Sequence, residues 1–179
     1  MVIRLTSDQH FFHDNIRKMC ARPEFDVATM NSELISEWNK NTADDDIVWC
    51  LGDFAYKAGK FNDIKDVFDQ LKGEKHLIIG NHDNPQWMKQ LGWKSINHKM
   101  ILREEFEGDK HQFVLHHYPL REWEGFWHGA FHAFGHTHRN LGKYCRSMDV
   151  GVDSVGYAPV TLESFYHTLK NEVNKHGIR

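Results

Sequence analysis

The sequence is poor in several features that mark whole classes of protein. Its three cysteines, Cys20, Cys50 and Cys145, lie far apart and form no CxxC pair. An odd, scattered set argues against a disulfide framework and suits a reducing compartment. No stretch approaches the roughly 20 apolar residues that cross a bilayer, so no membrane segment is expected. Basic excess is lacking too: the formal net charge is −3, and no global field would draw in nucleic acid or an anionic membrane. A stable nucleic-acid complex is therefore not expected, although bound cations could still serve a phosphate substrate locally. No repeat, low-complexity tract or Pro/Gly/Ser-rich linker marks a boundary, and 179 residues suit one domain over 1–179. The chain opens directly into an apolar segment without the secretory order of basic, apolar and cleavage regions, which predicts a cytoplasmic protein. Gly-x-Ser-x-Gly, Cys-x₅-Arg and His-Glu-x-x-His are all missing, and with them the usual serine, cysteine and metalloprotease machinery.

What is abundant is histidine, with 14 residues. His76, His98, His111, His167 and His176 read as surface or satisfied core residues. The others fall in short motifs, whose places depend on the secondary structure.

Val2 to Leu5 reads as a strand. Met30, Leu34 and Trp38, spaced by four and widened by Val27 and Ile35, define a helix face. Ile47 to Leu51 is a short buried strand. Phe61, Ile64, Val67, Phe68 and Leu71 give a second helix, stopped near Gly73. Another buried strand spans 76–79, and Pro85 opens a short helix through Leu91. From His98 to His117 the pattern predicts two strands around a polar turn at 107–110. Strands over 130–134 and 147–152 and a closing helix over 160–173 complete the chain. Strands alternating with helices early and hairpins later imply a mixed sheet, or two sheets face to face with helices outside.

On that map the polar clusters share one position. Asp8 and His10 follow the first strand, and Gly52-Asp53 the second. Gly80-Asn81-His82-Asp83 follows the third, His116-His117 the hairpin, and Gly135-His136-Thr137-His138 the strand after it. Ligands of α/β sheets bind outside the carboxyl ends of strands. Carboxylate, imidazole and amide oxygen without thiolate suit Mn²⁺, Fe or Zn²⁺. A pair of metals needs a bridging carboxylate, and Asp53, between the two ligand groups in sequence, is the candidate.

Asp8-Gln9-His10, Gly52-Asp53, Gly80-Asn81-His82-Asp83, His117 and Gly135-His136-Thr137-His138 resemble the signature of the calcineurin-like metallophosphoesterases. The flanking segments Phe12-His13, Asn15-Ile16, Arg22-Pro23, His117-Tyr118-Pro119 and Gly151-Val152-Asp153 are similar to its small bacterial and phage branch. The resemblance implies a four-layer α/β/β/α sandwich of two mixed sheets with flanking helices. It implies two metal ions, manganese or else iron or zinc. One would be held by Asp8, His10, Asp53 and His138, the other by Asp53, Asn81, His117 and His136. His117 is preferred to His116 because it precedes Tyr-Pro.

Such a protein would hydrolyse phosphate mono- or diesters, as a phosphatase or phosphodiesterase of small molecules or nucleotides. A metal-bridging hydroxide would attack, with His82 as proton donor to the leaving group and Asp83 orienting its imidazole. Bound water acidified toward a pKa of roughly 7 needs no protein nucleophile. Asn81, His13, Arg17 and Arg22 are candidate substrate contacts, the last three read equally well as a solvated helix face. The aromatics of 121–130, Trp123, Phe126 and Trp127, fit either a lid that stacks on a base or a cover for the sheet edge. The competing expectation is a non-catalytic scaffold on the same fold.

Overall fold

The computed structural model describes residues 1–23, 26–57 and 59–174. Its strands are β1 (Ile3–Thr6), β2 (Ile47–Cys50), β3 (Glu74–Ile78), β4 (Ser95–Asn97), β5 (Lys99–Phe106), β6 (Asp109–His116), β7 (Phe131–Phe134), β8 (Ser147–Asp149) and β9 (Val160–Thr161). The helices are α1 (Asp14–Met19), α2 (Val27–Asn41), α3 (Phe61–Gln70), α4 (Pro85–Met88), α5 (Val152–Val155) and α6 (Leu162–Leu169).

The strands form two mixed sheets. One has the order β4-β3-β2-β1-β9, parallel except for β9. The other has the order β5-β6-β7-β8, parallel except for β5. Because side chains alternate along a strand, each sheet buries both faces with different residues. Leu5, Trp49, Leu51 and Ile78 meet Phe113, Leu115, Phe131 and Ala133 between the sheets, joined at one side by Phe165, Tyr166 and Leu169 of α6. The opposite face of the first sheet, with Val48, Cys50 and Leu77, packs on Met30, Leu34 and Trp38 of α2 and Ile64, Val67 and Phe68 of α3. The fourth layer, over the second sheet, is thinner. Trp123, Phe126 and Ala130, around a single 3₁₀ turn (Phe126–His128), cover Val114. The expected sandwich of two mixed sheets with flanking elements is the architecture found.

Local signals explain the ends of several elements. Asp26 caps α2 by accepting from Thr29 N at 2.7 Å, and Asn84 caps α4 through Gln86 N and Trp87 N. The hairpin turns at Glu107 and Gly108, both with positive φ, as a two-residue loop requires. The closing helix is shorter than the periodicity predicts. Val160 and Thr161 pair with β1 as a strand, and the Thr161 side chain then caps α6 by accepting from Ser164 N. His176 lies outside the described residues.

Candidate metal centre

All the strands that precede the polar motifs are parallel within their own sheet, and the chain beyond them is stitched together. Asp8 N donates to Gly52 O at 2.9 Å, His10 N to Asp53 O at 3.0 Å, and Gly135 N to His117 O at 2.9 Å. Two carboxylates then cross-link separate loops. Asp8 Oδ2 accepts from His136 N at 2.8 Å, joining the two sheets. Asp53 Oδ1 accepts from His82 N at 2.8 Å.

Each carboxylate is left with one oxygen for the interior of the site. His10 Nε2 lies 3.5 Å from Asp53 Oδ2 and 3.9 Å from Asp8 Oδ1, while His117 Nε2 lies 3.6 Å from the same Asp53 oxygen. Two triads result, Asp8–His10–His138 and Asp53–His117–His136, each with ligand-competent atoms within 4.8 Å of one another.

These donors fit divalent cations. Asp8 Oδ1 and His10 Nε2 are buried without a hydrogen-bond partner, a costly state for polar atoms unless an ion meets them. Burial pushes the Asp8 carboxyl up to about 8 and the His10 imidazole down to about 2. The site thus holds a carboxylate in need of positive charge beside a neutral imidazole lone pair. His117 repeats the pattern. Its Nδ1 donates to Leu51 O at 2.7 Å, which leaves an Nε2 lone pair facing Asn81 Oδ1 at 2.9 Å. Two acceptors at that distance are reconciled by a cation. No thiolate takes part in either triad, although Cys20 stands with His138 and Asp153 in a third group of this kind. The donors of the two triads suit an oxygen- and nitrogen-binding metal.

The backbone is strained at the same places. Asp8, His10, Asp53, His136 and His138 all have φ between 46° and 70°, a region that costs non-glycine residues about 1–3 kcal/mol each and clusters at functional sites. Gly135 shows how tight the junction is. A Cβ there would stand 2.0 Å from Ser7 Oγ and 2.3 Å from Asp8 Oδ2.

Every residue expected to bind metal is therefore gathered at one point, and His117 rather than His116 joins the cluster. His116 Nδ1 instead meets the backbone of Tyr118. His82 sits exposed on the rim, its ring 5.3 Å from that of His10 and 5.8 Å from Tyr56. His13 stacks on Tyr56 at 3.8 Å, and its Nδ1 faces His10 Nδ1 at 3.3 Å. With His10 Nε2 turned to the site, its Nδ1–H donates to His13, the kind of outer partner that orients a ligand imidazole.

The structure gives several of these side chains partners other than the substrate or the His82 ring. Arg22 is not a substrate contact. It is buried, donating to the carbonyls of Asp8 and Gln9 at 2.8 Å each and to both Asp153 oxygens at 2.9 Å. Asp83 does not orient the His82 ring, because its carboxylate accepts from the amides of Asp53, Phe54 and Gly80 at 2.8–3.0 Å. It organises the two loops instead, and burial raises its pKa to about 6. His132, grouped by sequence with the motif histidines, is a core residue bonded to Val114 O and Leu120 N. Trp123 and Phe126 are buried beneath their own loop, and only Trp127 is exposed. Arg17 is paired with Asp14 on α1.

Sequence reasoning gave no role to Asp153, Asp149 or Tyr56. Asp153 Oδ2 accepts from His138 Nδ1 at 2.8 Å. Asp149 accepts from Thr137 Oγ1 at 2.5 Å and Gly151 N at 2.7 Å. The Gly151-Val152-Asp153 segment was the one available signal, and it carries no chemical motif by itself.

No protein-family model matches the chain. The gene 66 protein of mycobacterium phage L5 is 24% identical in an alignment of 204 positions, covering 97% of this chain and 96% of that protein. Among solved structures, the protein of unknown function AQ665 from Aquifex aeolicus superposes with a TM-score of 0.72 at 20% identity, covering 94% of this chain and 99% of that one, which shows a shared fold. The uncharacterized protein MJ1445 of Methanocaldococcus jannaschii is 36% identical over 168 residues, 90% of this chain and 87% of that protein. At that identity and coverage, the chain belongs to the same family as MJ1445.

Proposed function

We propose that this protein is a calcineurin-like phosphoesterase that uses two divalent cations to hydrolyse phosphate esters. The observation that carries the reading is the position of Asp53 Oδ2, 3.5 Å from His10 Nε2 and 3.6 Å from His117 Nε2, between the two triads. Asp8, His10, Asp53 and His138 would hold one ion. Asp53, Asn81, His117 and His136 would hold the other. Bound there, manganese, iron or zinc acidifies water and neutralises charge on the phosphoryl oxygens.

The chain's own residues supply the rest. His82 donates the proton to the departing oxygen, and its backbone amide, tied to Asp53 Oδ1, fixes its reach. Asp83 keeps the 80–83 turn against the 52–54 loop through its three amide contacts. Asp153 and Arg22 orient His138. His13 and Tyr56 form an aromatic wall beside His82, with Arg17 further along α1.

The test is a panel of para-nitrophenyl phosphate, its bis-ester and 2′,3′-cyclic nucleotides, assayed after reconstitution with manganese. Metal-dependent release of product from at least one is expected. Two ions bound per chain without turnover on any substrate would replace this reading with that of a scaffold.

A further inference from the structure

Beyond the metal centre, on the side of the second sheet, a groove of about 420 Å³ lies between the chain after β6 and the loop before β8. Pro119, Leu120, Arg121, Phe134, Leu141 and Tyr144 line most of it. It begins next to the metal ligands. Tyr118, the residue before Pro119, packs edge-on against His117 at 4.9 Å and His136 at 4.6 Å, and Phe134 lies two residues before His136. Among the described residues eight large hydrophobic side chains are exposed, and Tyr118, Leu141 and Tyr144 are three of them. Exposed apolar side chains gathered around one concavity mark a binding surface. Arg121 is the one charged side chain among its lining residues, so the groove suits a largely apolar group rather than a second phosphate.

The groove and the proton donor border different parts of the centre. His82 is grouped with His10, His13 and Tyr56, on loops of the first sheet. Tyr118 is grouped with His117 and His136, on loops of the second. A leaving group protonated by His82 departs on that residue's side, so whatever fills the groove stays attached to phosphorus.

We infer that the groove receives the retained substituent of a phosphodiester, a planar aromatic group such as a phenyl ring or a nucleobase, held against Phe134, Leu141 and Tyr144. This rests on the phosphoesterase reading. Water adds to phosphorus, the P–O bond on the His82 side breaks, and the leaving oxygen takes the His82 proton. The proton released from water restores His82, and the ester bond on the groove side remains intact.

The experiment holds the leaving group constant and varies the retained one. With the manganese-loaded enzyme, phenyl para-nitrophenyl phosphate should exceed methyl para-nitrophenyl phosphate in kcat/KM by about tenfold or more, the worth of partly burying one aromatic ring. Leu141→Asp and Tyr144→Ala, both exposed positions, should abolish that preference while leaving the methyl ester unchanged. Equal kcat/KM for the two esters, or a preference that survives both substitutions, would overturn the groove assignment while leaving the phosphoesterase reading intact. Hydrolysis of neither ester by protein that still cleaves para-nitrophenyl phosphate would overturn the groove assignment alone. No turnover of the monoester either would overturn the phosphoesterase reading, and the groove assignment with it. An independent measurement needs no turnover. Titrating the zinc-loaded protein with phenyl methylphosphonate should shift the backbone amide resonances of Leu120, Arg121 and Gly142. Shifts confined to His13 and Tyr56, or no shifts, would count against the groove.

Discussion

At Asp53 one carboxylate divides its oxygens between folding and chemistry. Oδ1 fixes the loop carrying His82, and Oδ2 stands between the two imidazoles. Asp53→Asn keeps the shape but removes half of that capacity. Bound metal, measured by elemental analysis, should fall below two ions per chain, and unchanged stoichiometry would refute the bridging role. His82→Ala should keep its metals and slow turnover by about 10²–10⁴-fold, the usual worth of a proton-transfer group. Near-normal turnover would remove His82 from that role. Asp153 acts one step further out. Burial works to raise its pKa, but the bonds from His138 and Arg22 outweigh it and hold the carboxyl at about 2. Asp153→Asn should weaken metal affinity about 10–100-fold, as loss of such partners commonly does, and chelator competition would reveal it.

The element that decides most is the turn after β7. Residues two apart share one face of a strand, so a straight chain would already align His136 with His138. Bringing the His136 amide onto Asp8 and the Thr137 hydroxyl onto Asp149, however, requires the chain to bend. It does bend. His136, His138 and Arg139 all adopt positive φ, and Thr137 N folds back to Gly135 O at 2.8 Å. Asp149 holds the turn from β8 through Thr137 Oγ1 and Arg139 N. Glycine at 135 is what lets this turn press against Ser7 and Asp8. Gly135→Ala should cost about 1–3 kcal/mol by overpacking, seen as a Tm lower by roughly 3–10 °C, together with reduced metal uptake. A variant with parental Tm and metal content would show that the junction is less tight than the geometry requires. None of this bend is legible in four residues of sequence, because it depends on a carboxylate supplied by another strand.

At the scale of the whole molecule, the two sheets need fixed edges if their loops are to meet. Asp46, 2% exposed, ties the chain start to the α2–β2 turn by accepting from Val2 N, Arg4 Nε and Ala43 N at 2.7–3.1 Å. Burial opposes its ionisation, but these bonds prevail and hold its pKa at about 2, below the roughly 3.9 of an unfolded chain. A depressed carboxyl contributes stability that is full above about pH 4 and lost as pH falls through about 2. Asp46→Asn should therefore lose about 1–3 kcal/mol at pH 7, the range for hydrogen bonds to a charged group. Its Tm should also fall less than the parent's between pH 4 and pH 2. Parallel acid profiles would assign the sensitivity elsewhere.

Sequence by itself determined the residue types of the centre, their order and their place after strands. A ligand must carry the right atom, and the apolar runs that mark buried strands are local patterns. It also made His117 the better choice over His116. What the tertiary structure decided is which polar side chains are spent on the scaffold. Arg22 and Asp83 look as available in sequence as His82. Only packing shows that the guanidinium and the carboxylate are consumed by backbone groups and by Asp153, because partners brought together from separate loops, such as Arg22 and Asp153 131 positions apart, leave no periodic trace. The same holds for Asp153 itself and for the groove beyond Tyr118, whose walls come from separate loops brought together by the second sheet.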